Sequence, residues 1–127
     1  MRYALISIFV LLSCSSVYAD VEEFPQRIRG FWVDKQETCD ILKKNGVAHL
    51  ERDQYWLKIT ATDVLGSIQG RFLRELPKKW VRVDEELALE IQTLEEGYNL
   101  EELTLSRDGY LYNTIIGARA SGKYQRC

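Results

Sequence analysis

The chain has 127 residues, 28% of them charged, and a formal net charge of −2. That is the size of one small domain with a single core. Acidic and basic residues nearly balance and no basic patch stands out, so nucleic acid is not an expected partner. Nothing after residue 19 is apolar for long enough to span a bilayer as a helix.

The N-terminus reads as a signal peptide. Met1-Arg2 supplies a short positive region, and Tyr3 to Leu12 forms an apolar run too short to cross a membrane. Val17-Tyr18-Ala19 puts small residues where a signal peptidase reads. Cleavage is therefore expected before Asp20, which leaves residues 20–127 as one exported domain, periplasmic or secreted. The same stretch allows an alternative. Leu11-Leu12-Ser13-Cys14 resembles a bacterial lipobox, in which Cys14 would carry a lipid anchor. Either way Cys39 and Cys127 remain, an even pair in an oxidising compartment, and a disulfide between them is expected. The chain-entropy estimate for so long a loop is about 4–5 kcal/mol.

Phe24 to Asp34 reads as the first strand, with Pro25 making its start irregular and Trp32 as a large apolar plug. Gln36 to Lys44 is the one good helix candidate, stopped by Asn45-Gly46 and carrying Lys43 and Lys44 in its last turn. From Gln54 the period changes to two. Tyr55, Leu57 and Ile59 alternate with Trp56 and Lys58. Val64 to Leu76 reads as one long strand containing Gly66 and Gly70, glycines that suit a bulge or a bend. Alternation resumes over Trp80 to Asp84 and from Leu87 to Gln92. Glu95-Glu96-Gly97 reads as a turn, and Asp108-Gly109 is the strongest hairpin signal in the chain. Gly117 opens the last bend, and Ala118 to Cys127 closes the set.

These segments predict a mainly β fold, an antiparallel up-and-down barrel of about seven or eight strands with one short helix after the first. Short joins favour antiparallel pairing, and closure removes exposed edges. Gly30-Phe31-Trp32 resembles the G-x-W signature of the calycins, the lipocalin-like barrels, where it opens the first strand. The resemblance implies a basic residue of the last strand lying across the Trp, here Arg119 or Arg126, an arrangement that cation–π attraction favours.

The chemistry on offer is sparse. His49 is the only histidine, with no nucleophile motif beside it and no ligand cluster for a metal. The doublets Glu85-Glu86, Glu95-Glu96 and Glu101-Glu102 read as solvated turns and outer faces, since neighbours on a strand point to opposite sides. No enzyme, cofactor or metal is expected. Three tryptophans and seven tyrosines suit a packed core or the wall of a ligand cavity. The expected role is non-catalytic binding of a small apolar molecule or of an envelope protein. Ser121-Gly122-Lys123-Tyr124 is similar to the S-G-x-Y loop of some periplasmic lysozyme inhibitors. That resemblance implies a protruding loop whose Ser121 and Tyr124 enter the enzyme cleft. The tetrapeptide also ends three residues before Cys127, and a bond to Cys39 leaves little slack for protrusion.

Overall fold

A computed structural model describes residues 22–94, 99–115 and 121–127. Eight strands pair in chain order, and the last returns to the first to close a barrel. They are β1 (Gly30–Val33), β2 (Trp56–Ile59), β3 (Asp63–Gly66), β4 (Gly70–Glu75), β5 (Glu85–Thr93), β6 (Asn99–Ser106), β7 (Leu111–Ile115) and β8 (Ser121–Arg126). Every pairing is antiparallel. One helix, α1 (Gln36–Asn45), stands between β1 and β2. The expected architecture is therefore present.

The alternation seen in the sequence sets the core. Leu87, Leu89 and Ile91 of β5 and Leu103 and Leu105 of β6 share the inner face with Leu57 and Ile59 of β2. A period of two sends alternate side chains to one face, so these strands bury one apolar row each. The Asp108-Gly109 turn joins β6 to β7 as expected. Ser106 N–H donates to the Tyr110 carbonyl at 2.9 Å, and the Asp108 carboxylate accepts from the Ser106 hydroxyl.

α1 ends where Gly46 turns the backbone to φ +82° and its N–H donates to the Leu42 carbonyl. Its buried Cys39 is bonded to Cys127, with Cα atoms 5.4 Å apart. Cys127 N–H also donates to the Phe31 carbonyl at 3.0 Å. The bond thus ties the helix, the first strand and the end of the last strand together.

Three segments differ from the sequence expectation. Residues 24–29 are not strand. Pro25 leads into a 3-10 turn (Gln26–Ile28), and β1 begins only at Gly30. Phe24 and Ile28 are fully buried and belong to the core cluster. The expected strand from Val64 to Leu76 is two strands. Gly66 ends β3 and Gly70 starts β4, and Ser67 between them accepts a bond from Trp56 N–H on its hydroxyl at 2.9 Å. Trp80 belongs to a 3-10 turn (Lys78–Trp80) behind Pro77, not to a strand. It is 54% exposed, and Arg74 and Lys79 lie over its ring at 5.6 and 5.7 Å. The expected bends at Glu95-Glu96-Gly97 and Gly117 lie outside the described residues. No helix among the described residues is long and apolar enough to cross a membrane.

Candidate functional site

The two ends of the barrel differ. At the end where β1 begins, the 3-10 turn presents three successive carbonyls, those of Arg27, Ile28 and Arg29. A short helix leaves such acceptors without intrahelical partners. Trp32 Nε1 donates to the Ile28 carbonyl at 2.8 Å. Arg126 Nη1 donates to the Arg29 carbonyl at 2.9 Å, and Nη2 bonds the Arg27 carbonyl. The Arg126 guanidinium carbon stands 4.3 Å from the centre of the Trp32 ring. Of the two arginines that the G-x-W resemblance pointed to, Arg126 lies across the Trp, and Arg119 is outside the described residues. Trp32 is 1% exposed. Gly30 has φ +114°, a value side chains rarely adopt, and the Arg126 guanidinium passes beside it. This end is sealed and structural.

The opposite end is open. A cavity of about 350 Å3 enters there, lined by Asp34 after β1, Tyr55 before β2, Ser67 and Ile68 of the β3–β4 turn, Glu101 of β6, Asn113 and Ile115 of β7, and Gly122, Lys123 and Tyr124 of β8. Its floor is polar. Asn113 Nδ2 donates to Glu101 Oε2 at 3.3 Å, and Asn113 Oδ1 accepts from Gly122 N–H at 3.2 Å. Asp34 Oδ1 accepts from the Thr38 hydroxyl at 2.5 Å.

Of the S-G-x-Y residues, Gly122 and Tyr124 line this cavity. Ser121 opens β8 opposite Thr114, Gly122 pairs with Asn113 and Tyr124 with Leu111, so all three lie in the strand ladder. Glycine at 122 is a matter of space. A Cβ there would meet Asn113 Oδ1 at 2.7 Å and the Tyr124 ring at 3.0 Å, with the Tyr124 hydroxyl 3.5 Å away. Tyr124 is 5% exposed and lines the cavity. Burial, then the charges of Asp34 and Glu101 and the nearby Tyr55, push its pKa up to about 12. The hydroxyl therefore stays protonated and faces the cavity in a negative field.

Compared with protein-family models, curated proteins and solved structures, the chain matches none. The site therefore rests on its own geometry. Asp34 and Asn113 were not singled out in the sequence, and Glu101 was assigned to a solvated face. It is 8% exposed and points inward, because it shares the face of Leu103 and Leu105 two and four residues on. Its neighbour Glu102 takes the outer face, where burial, and then Glu85, raise its pKa. His49 is exposed in a 3-10 turn (Val47–His49) far along the chain from these groups. Among the described residues no cluster of three or more His, Cys, Asp or Glu forms a metal site.

Proposed function

We propose that this is an exported, non-catalytic, calycin-like binding protein that takes one small molecule into the open end of its barrel. The observation that carries the reading is the cavity itself. About 350 Å3 of space stands above a filled core, within the range of small-ligand sites, and Tyr124 belongs both to that core and to the cavity lining. Ile68, Ile115 and Tyr55 add apolar surface around the polar floor, so the ligand is amphiphilic rather than purely apolar. The disulfide is compatible with an oxidising compartment outside the cytoplasm, and the signal-peptide reading would place the protein in the periplasm.

The lysozyme-inhibitor reading uses the same residues differently. It needs Ser121 and Tyr124 to leave the barrel and enter a partner, whereas Tyr124 supports the core and the cavity wall here. The test is an NMR titration of the folded protein with a panel of small neutral and charged amphiphiles. Shifts confined to the amides of Gly122, Tyr124, Asn113 and Ile115 are expected for the binders. A panel that moves none of these, together with stoichiometric inhibition of a lysozyme, would replace the small-molecule reading with the inhibitor reading.

A further inference from the structure

The sealed end of the barrel carries a surface that the cavity does not use. The near balance of charge along the chain hides a local excess. From Arg71 to Val83 there are five basic residues, Arg71, Arg74, Lys78, Lys79 and Arg82, against one acidic, Glu75, in a chain of formal net charge −2. The connection between β4 and β5 holds the densest part of it. Pro77, Lys78, Lys79, Trp80, Arg82 and Val83 are all exposed, Trp80 at 54% and Val83 at 90%. The connection lies away from the cavity. The β3–β4 turn lines the cavity, so β4 runs from that end of the barrel to the other. Glu86, just after the connection, stands 3.6 Å from Arg27 of the sealing 3-10 turn.

These side chains stand on a fixed backbone. Trp80 N–H donates to the Pro77 carbonyl at 2.9 Å, and Val81 N–H to the Lys78 carbonyl at 3.1 Å. From the β6–β7 turn, Arg107 N–H donates to the Asp84 carbonyl at 2.9 Å and Arg107 Nε to the Val83 carbonyl at 2.6 Å. Arg107 is itself exposed and adds a cation. Two nearby acids are engaged, Glu85 at 3.7 Å from Arg82 and Glu90 at 3.3 Å from Arg74. Among the described residues Lys78 and Lys79 pair with no carboxylate. Trp80 is no part of the core cluster, and the groups over its ring are the cations of Arg74 and Lys79.

Tryptophan among lysines and arginines is the composition of a lipid–water boundary. The indole is a large apolar body with one donor, and it settles at headgroup depth. Lysine and arginine lay their stems along apolar surface and keep their charges in the polar layer, where anionic lipid attracts them. A protein partner fits less well. A stable protein interface buries about 800 Å2 on each side, and the exposed apolar groups here are two tips on one connection, Trp80 and Val83.

We infer that the sealed end docks on an anionic phospholipid surface, with Trp80 and Val83 entering the headgroup layer and Lys78, Lys79 and Arg82 meeting lipid phosphates. The cavity then faces away from the lipid and stays open to solvent. This docking does not depend on what the cavity binds.

The barrel and the disulfide lie wholly after residue 22, so the processed chain, residues 20–127, is the material for the test. It is sedimented with vesicles of equal parts phosphatidylglycerol and phosphatidylcholine, and with vesicles of phosphatidylcholine alone. Binding to the first is expected, about tenfold or more weaker to the second, with release from the first at about 0.5 M salt, where charges are screened. Tryptophan emission should shift to the blue on binding, and that shift should be lost in Trp80→Phe. Lys78→Gln and Lys79→Gln should each weaken partitioning about fivefold. All three positions are exposed, so the variants keep the fold. Equal binding to both vesicles, binding to neither, or undiminished binding by the double variant Lys78→Gln/Lys79→Gln overturns the inference. A blue shift that survives in Trp80→Phe overturns the docking face. Two further results would assign another occupant and overturn it as well. Displacement from the vesicles by millimolar glycerophosphoglycerol would show a site for a soluble phosphate. Binding to poly-glutamate as tight as to the anionic vesicles, with the emission unmoved, would show a surface for an acidic protein.

Discussion

The sealed end of the barrel makes a quantitative prediction for Arg126→Lys. Arg126 does three things at once. It bonds the carbonyls of Arg27 and Arg29 with two nitrogens, and its flat guanidinium lies over Trp32. A lysine ammonium is a point charge on a flexible stem. It can keep one carbonyl bond but cannot hold both in fork geometry while stacking. A net hydrogen bond contributes about 0.5–1.5 kcal/mol, and an exposed cation–π pair about 0.5–1 kcal/mol. Arg126→Lys should therefore cost about 1–2 kcal/mol, and Arg126→Ala about 2–3 kcal/mol on the same sums. Urea denaturation followed by Trp fluorescence reads this as a lower midpoint with an unchanged slope. The pairing can be isolated by a cycle. Trp32→Phe removes the donor to the Ile28 carbonyl and leaves a buried acceptor unmet, at about 1–3 kcal/mol. In that background Arg126→Ala should lose less than in the parent, because the better ring is gone. The reasoning is refuted if Arg126→Lys and Arg126→Ala both lie within about 0.5 kcal/mol of the parent, the range of an ordinary surface change.

Three further outcomes are expected. Replacing Cys39 and Cys127 together by Ser opens a bond spanning 88 residues; a loss of up to about 4–5 kcal/mol is expected, seen as a melting temperature lower by well over ten degrees, and an unchanged melting curve would contradict the bond. Gly122→Ala forces a Cβ to within 2.7 Å of Asn113 Oδ1, so about 1–3 kcal/mol of overpacking is expected, along with displaced Asn113 and Tyr124 side-chain resonances; native-like spectra would show that the wall has more room than the geometry allows. Glu102→Gln should stabilise the protein at pH 7 by about 0.2–1 kcal/mol, since burial, then Glu85 and, less strongly, Glu90 opposite it across the ladder disfavour its charge. The sign follows from its raised pKa. The folded state holds the Glu102 proton more tightly than the unfolded one, so ionisation costs stability at neutral pH. The gain in the variant should vanish as the pH falls below about 4.5, the unfolded value; a gain that persists at pH 3 would point to another cause.

Strands β5, β6 and β7 were legible because their large apolar residues alternate along one face, and the Asp108-Gly109 turn fixes how β6 meets β7. Cys39 and Cys127 were legible as a pair by elimination. Trp32 carried its role in its neighbours, although choosing Arg126 over Arg119 needed the register Trp32↔Arg126. What escaped had local causes. Phe24 and Ile28 are four apart, a spacing that a strand and a helical turn both put on one face, so a closing turn read as strand. Gly66 and Gly70 look alike whether a strand bends or stops. The site itself escaped for a different reason. Glu101 lies in phase with Leu103 and Leu105, and that phase placed it inside, but its partner Glu102 made the doublet look solvated. Tyr124 was noticed for a motif, and the fold gives it a place in the core and in the cavity lining.

The seam where the ring closes is narrow. β1 and β8 share two residue pairs, whereas β5 and β6 share eight. The broad hairpins join residues close in sequence and can form early, while the seam must bring together positions nearly the length of the domain apart, which is the slowest kind of contact to make. Cys127 reaches Cys39 only once that seam is in place, since its own N–H is bonded to Phe31 of β1. During oxidative refolding, then, the loss of free thiol and the change in Trp32 emission should share one time course, and two separated phases would contradict this order. Thiol chemistry in this protein is a clock for the final step of folding.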